Sequence, residues 1–131
     1  MNKPDKEKKY AKRSFTIKQK QKCWSKARMV EGRHPDRWRY DPLGNLVCNA
    51  LRGCLGPLCH EYDHIYPYSR GGKTSSKNCQ ILQTRVNRYK SNLIMTEEEL
   101  SSANFNMKFS EDDLDTIEKA VYGDIQKVFE F

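Results

Sequence analysis

Two short strand candidates, an apolar-and-acidic run over residues 59–65 and an apolar run over 79–82, flank a loop over 69–77 that contains Gly71 and Gly72 and has no large apolar side chain. Pro67 breaks the first run after Ile65. From Gln83 onward Val86, Tyr89 and Leu93 recur at intervals of three and four, the period of a helix. The order that follows is strand, long loop, strand, helix. A hairpin with one short helix cannot bury enough surface to stand alone in water, so the remaining segments have to cover it.

Those segments supply candidates on both sides. Over residues 16–30, Ile17, Lys20, Trp24, Ala27 and Val30 fall at helical spacing among cations, which predicts an amphipathic helix with one apolar stripe and a basic back, stopped by Gly32 and Pro35. Trp38 and Tyr40 then alternate with charges, Asp41-Pro42-Leu43-Gly44-Asn45 supplies turn residues, and Leu46-Val47 resumes an apolar run. That pattern predicts a β-hairpin, with Trp38 as a core anchor. Residues 51–58, with two Gly and one Pro, read as a connecting loop. Thr96 followed by Glu99, and Ser110 followed by Asp113, fit capped helix starts. In the second of these helices Leu114, Ile117 and Val121 share a face, and Gly123 ends it. No internal repeat is present.

The fold class expected is therefore α+β. At 131 residues the chain is one domain by size. Residues 1–14 are expected to form a disordered basic arm, and 15–131 the domain: helix and hairpin over 15–50, the strand-strand-helix core over 51–95, and an acidic helical tail over 96–131.

Charge divides the chain along the same lines. Residues 1–40 carry fourteen Lys and Arg against four Asp and Glu, residues 41–90 seven against three, and residues 91–131 three against ten. The net +7 is concentrated in the first two thirds, the electrostatic footprint of a phosphate-backbone binder. The acidic tail reads as a packing appendage with a solvated face. No apolar run approaches the length needed to span a bilayer, and the N-terminus lacks the apolar region of a secretory signal. The expectation is a soluble intracellular protein with no membrane partner and no compartment specified. Five Cys, an odd count, disfavour a disulfide framework in such a setting. Cys48, Cys54, Cys59 and Cys79 are candidate zinc ligands by loose spacing, with buried thiols preferred to structural zinc.

The polar residues of the core suit one chemistry. Asp63 and His64 end the first strand, Asn78 precedes the second, and Asn87 lies one turn inside the helix. A helix packed across a hairpin can gather them around one cavity, provided the strand ends irregularly, since adjacent strand residues point to opposite faces. A carboxylate and an amide oxygen are hard ligands fit for Mg²⁺. An imidazole can take a proton from water near neutrality. Together they suit metal-assisted phosphodiester hydrolysis.

These residues resemble the HNH nucleases, the ββα-metal or His-Me finger family. Asp-His-Ile-x-Pro-x-Ser-x-Gly-Gly, five residues, Asn-x-Gln-x-Leu, four residues and Asn-x-x-Lys run without a gap from Asp63 to Lys90. The last His of the name is replaced by Asn87, a replacement that occurs within the family. The flanks are similar to those of plant and protist HNH proteins. The resemblance implies a small ββα-metal core with His64 as general base, Asp63 and Asn87 as ligands of Mg²⁺ or Mn²⁺, and Asn78 as an orienter of the His64 segment. Many relatives brace this unit with zinc knuckles, which the sequence around Leu82 to Val86 does not provide.

Arg70, Lys73 and Lys77 on the loop and Arg85, Arg88 and Lys90 on the helix are candidate nucleic-acid contacts. Phosphate contacts of this kind position a substrate without reading its sequence. The function expected is a metal-dependent HNH endonuclease acting on DNA, in preference to RNA, with low sequence specificity. The alternative is an inactive nucleic-acid-binding or ribonucleoprotein assembly subunit on the same fold. A homodimer is left open.

Overall fold

The structure, a computed structural model, describes residues 13–128. The arm expected over residues 1–14 therefore lies outside the described residues except for Arg13 and Ser14. In chain order the elements are helix α1 (Ile17–Lys26), strands β1 (Arg28–Met29), β2 (Trp38–Tyr40), β3 (Leu46–Cys48), β4 (His60–His64) and β5 (Cys79–Gln83), then helices α2 (Thr84–Lys90), α3 (Glu97–Ser101) and α4 (Glu111–Tyr122). The class is α+β. The strands form two antiparallel sheets, β1-β2-β3 and β4-β5.

Helix α1 begins where a capping box forms, with Thr16 accepting from the Gln19 N–H and Gln19 reaching back to the Thr16 N–H. It ends at Lys26, four residues short of the predicted end. Arg28 and Met29 instead pair with Tyr40 and Arg39 and add a third strand to the hairpin. The expected apolar stripe is corrected with it. Cys23 and Trp24 are the buried positions, whereas Ile17 is 77% exposed.

The β4-β5 pair runs in register from His60 opposite Gln83 to His64 opposite Cys79. Period-two alternation divides its side chains between two layers. Cys79 and Ile81 join Phe15, Cys23, Trp24 and Val47 in one cluster, with Tyr62 against it, under α1. Leu82 joins Val86 and Leu100 in another, under α2 and α3. Lys26 of α1 clamps the far end of the pair by donating to the Ser76 and Cys79 carbonyls. Helix α2 stops at Lys90, where Ser91 adopts φ 49°. Of the three residues that predicted this helix, Val86 is buried, while Tyr89 and Leu93 are exposed.

The hairpin and the core unit meet at Asp41. Its buried carboxylate accepts from the Leu43 and Asn45 N–H groups of the β2-β3 turn and from the Gln83 N–H at the end of β5. Burial pushes this carboxyl above its ordinary value, against those hydrogen bonds. One side chain thereby fixes where β5 ends and α2 begins.

The acidic tail is more than a solvated face. Helix α4 seats Leu114 in the cluster of Trp38, Val30, Cys48 and Leu58, as its apolar face predicts, and Gly123 caps it at φ 86°. Glu118, on the same helix, is fully buried. It accepts from the Trp38 indole at 2.7 Å, from Arg37 at 3.1 Å and from the Gln126 N–H, and it pairs with Arg33. Burial opposes its ionisation, yet these donors outweigh burial and hold the carboxyl below its ordinary value. Arg33 and Arg37 are thus spent inside the protein, on Glu111, Asp115, Glu118 and Asp124.

The cysteine expectations need one correction. Cys54 and Cys59 form a disulfide, because the turns through Gly53 and Gly56 bring their Cα atoms to 5.4 Å. They are therefore neither thiols nor zinc ligands. Cys23, Cys48 and Cys79 are free and buried.

His60, fully buried between Trp24 and Tyr62, has no hydrogen bond on either ring nitrogen among the described residues. Burial, with the nearby Arg52 charge, pushes its pKa down to about 4 from 6.5. The unfolded chain then binds a proton that the folded one refuses between those values. Stability from this group is complete above about pH 6.5 and falls by about 3 kcal/mol as pH drops to about 4. Urea midpoints measured across this range will fall less steeply for His60→Leu than for the natural protein, and parallel slopes would show that His60 is not the group responsible.

Candidate functional site

The site is organised by the alternation of β4. Glu61 and Asp63 point toward α2, and His60, Tyr62 and His64 toward α1. Asp63 is buried at 7% exposure. It accepts from Gln80 Nε2 at 3.0 Å and lies 3.1 Å from Lys90 Nζ. Burial raises its pKa, with Gln80 and Lys90 pulling the other way. Lys90 also donates to the His64 carbonyl at 3.0 Å. This lysine is 2% exposed, so its assignment as a nucleic-acid contact is corrected: it holds the strand end from beneath.

His64, the last residue of β4, stacks on Phe15 with ring centroids 4.3 Å apart. Its Nε2 lies 2.9 Å from Thr74 Oγ1. Nδ1 has no hydrogen bond among the described residues. Partial burial lowers the His64 pKa, opposed by Asp63 and assisted by Arg13 and Lys90, which favours neutral imidazole.

Behind the strand end, the loop is locked by main-chain contacts. Asn78 accepts from the Tyr66 N–H at 2.8 Å and donates to the Tyr66 and Lys73 carbonyls at 3.0 and 2.8 Å. Gly72 packs so closely on this turn that a Cβ would lie 1.8 Å from the Tyr66 carbonyl oxygen. Gly71 takes φ 97° to close the turn over Tyr68 to Arg70. Asn78 therefore holds the segment directly after His64.

Asp63, His64 and Asn87 line a single cleft of about 720 Å³ between α1, β4 and α2. Asn78 does not line it. The cleft adds Glu61, which accepts from Asn87 Nδ2 at 3.1 Å and pairs with Arg88 at 3.3 Å. Asn87 Oδ1 has no donor among the described residues. Lys20, Arg13 and Arg88 place cations around the cleft.

The other predicted cations sit elsewhere. Arg70 donates to the Asn92 carbonyl. Lys73 and Lys77 are exposed on the loop, outside the cleft lining. Arg85 turns away, donating to the Leu55 carbonyl and stacking on Phe105 at 4.3 Å. Glu61, Thr74, Phe15 and Lys20 are site residues that sequence reasoning missed. Only Glu61 carried a signal, since it lies two residues before Asp63 and must share its face.

Among the described residues no three His, Cys, Asp or Glu side chains come together as a metal-binding group. The donors present are two carboxylates and an amide oxygen, a set that suits a hard cation retaining most of its water and does not suit zinc. In comparisons with known proteins, no family model, no curated protein and no solved structure matches the chain.

Lys90 and Asp63 are a buried ion pair, so deleting one partner strands the other. Lys90→Met will lower stability by about 3 kcal/mol. Adding Asp63→Asn will restore most of that loss in denaturant titrations, whereas a surface lysine would leave the midpoint unchanged in both variants.

Proposed function

We propose that the chain is a metal-dependent endonuclease of the HNH type, built on a ββα-metal core and hydrolysing phosphodiester bonds in DNA with low sequence specificity. The observation that carries the reading is the meeting of Asp63, Asn87 and His64 on one cleft, with oxygen donors on the α2 side and an imidazole on the α1 side.

Each residue then has a task. Asp63 and Asn87 Oδ1, with Glu61 beside them, fit Mg²⁺ or Mn²⁺, and such an ion would polarise the scissile phosphate and stabilise the leaving oxygen. His64 is the general base. In the productive tautomer its Nε2–H donates to Thr74 Oγ1, which leaves the Nδ1 lone pair to take a proton from the attacking water. Phe15 fixes the plane of the ring, and Asn78 fixes the backbone that carries it. Lys20, Arg13 and Arg88 can hold phosphates flanking the scissile bond, contacts that carry no sequence information.

A second reading has one observation in its favour. The Lys90 ammonium already sits on Asp63, where a metal would have to share that carboxylate. A catalytically inactive nucleic-acid-binding or ribonucleoprotein assembly subunit would keep this arrangement with no metal at all.

Supercoiled plasmid separates the two. The natural protein is expected to convert it to nicked or linear DNA in Mg²⁺ and not in EDTA, with His64→Ala slower by about a hundredfold or more. Asn87→Ala will lower turnover and raise the Mg²⁺ concentration needed. DNA retained without conversion in every lane would favour the binding subunit.

A further inference from the structure

A second recess of about 440 Å³ opens between α1, Arg39 of β2, Tyr62 of β4 and the loop residues Asn49 and Arg52. Its apolar wall is made by Ile17 and Trp24 of α1 and Tyr62 of β4, and its cations are Lys20, Arg39 and Arg52. Lys20 and Tyr62 line both this recess and the cleft that holds His64, so the two are contiguous. The Lys20 ammonium lies 5.7 Å from the Tyr62 ring centroid.

Two features of the recess stand out: an exposed apolar side chain and a buried cation. Ile17 is 77% exposed although it belongs to the helix that covers the core. Arg39 is buried at 8% exposure, and its guanidinium is held by the Pro35, Ser25 and Ala27 carbonyls with no ion pair among the described residues. Its charge is therefore uncompensated, apart from the field of Asp36 on the same wall. Arg52 is exposed and pre-set by two hydrogen bonds to Asn49.

We propose that this recess is a subsite for one unpaired nucleotide, and that the strand entering the cleft is single-stranded or locally unpaired nucleic acid. The inference rests on the phosphodiesterase reading of the cleft. An apolar and aromatic wall accepts the face of a base, and Lys20 and Arg52 take the adjoining phosphates while buried Arg39 adds positive potential behind them. A base paired and stacked in a duplex presents only its edges to the grooves. A base that is unstacked can lay its face against Ile17 and Tyr62. Lys20, shared by recess and cleft, would hold the phosphate between the subsite nucleotide and the scissile bond.

The test is fluorescence anisotropy in EDTA, with a short single-stranded DNA, the RNA of the same sequence and the blunt DNA duplex as probes. Ile17→Asp and Arg52→Ala are the variants, both at exposed positions, with Lys73→Ala outside the recess as the control. At least one single strand will bind more tightly than the duplex, and each recess variant will weaken single-strand binding by about tenfold with the duplex little changed. Lys73→Ala, outside both recess and cleft, will leave the ratio of single-strand to duplex binding unchanged. Equal binding of every probe, or recess variants that change nothing or lower duplex and single strand equally, would overturn the subsite. Cleavage in Mg²⁺ is read separately on the same probes. Cleavage without strand selectivity removes the subsite and leaves the nuclease reading, whereas strand-selective binding without cleavage does the reverse.

Discussion

Successive side chains of a β-strand leave on opposite faces, and in β4 that rule separates two chemistries before any tertiary contact is considered. Glu61 and Asp63 go to the α2 layer, where Asn87, Arg88 and Lys90 meet them. Tyr62 and His64 go to the α1 layer, where Lys20 and Phe15 meet them. Acidic and imidazole groups could not share a regular strand face in adjacent positions. They converge because His64 is the last residue of the strand, and the cleft wraps around that end. A register slip of one residue would exchange the layers and bury His64 where Asp63 now meets Lys90.

The frame that keeps this register is polar as much as apolar. Asp41 ties the hairpin turn to the end of β5, and Glu118 ties α4 to Trp38, Arg33 and Arg37. Both carboxylates are buried and multiply hydrogen-bonded, the condition under which a buried charge is tolerated. The acidic tail consumes cations that the charge distribution alone assigns to a partner. On the proposed reading, the cations left for phosphate are a narrower set around the cleft and its neighbouring recess.

Local signals in the sequence are legible where one residue's chemistry decides the outcome. The capped starts at Thr96 and Ser110, the stop at Gly123 and the hairpin turn after Tyr40 all fall where their turn and cap chemistry puts them. The gathering of Asp63, His64 and Asn87 on one cleft follows from strand, loop, strand and helix in that order. Positions set by competition between elements were not legible. Helix α1 ends early because β2 offers Arg28 and Met29 a strand partner, a long-range alternative invisible to helical periodicity. Lys90 reads as a surface cation at any exposed helix position, and only the burial of Asp63 beside it turns it inward. The disulfide depends on how two glycine turns fold residues 51–59, which composition does not encode.

The Lys90–Asp63 pair sits where stability and chemistry make opposing demands. An ammonium against a buried carboxylate offsets a desolvation cost that burial still leaves visible in the raised Asp63 pKa. The same ammonium repels a second cation, so it would weaken a divalent ion at Asp63 and bias the site toward weak binding, with the ion's remaining ligands supplied by water and substrate phosphate. Lys90 also donates to the His64 carbonyl. One buried lysine therefore contacts both the carboxylate that would hold the ion and the backbone of the residue that would act as base, alongside Gln80 on the carboxylate and Phe15 and Thr74 on the imidazole.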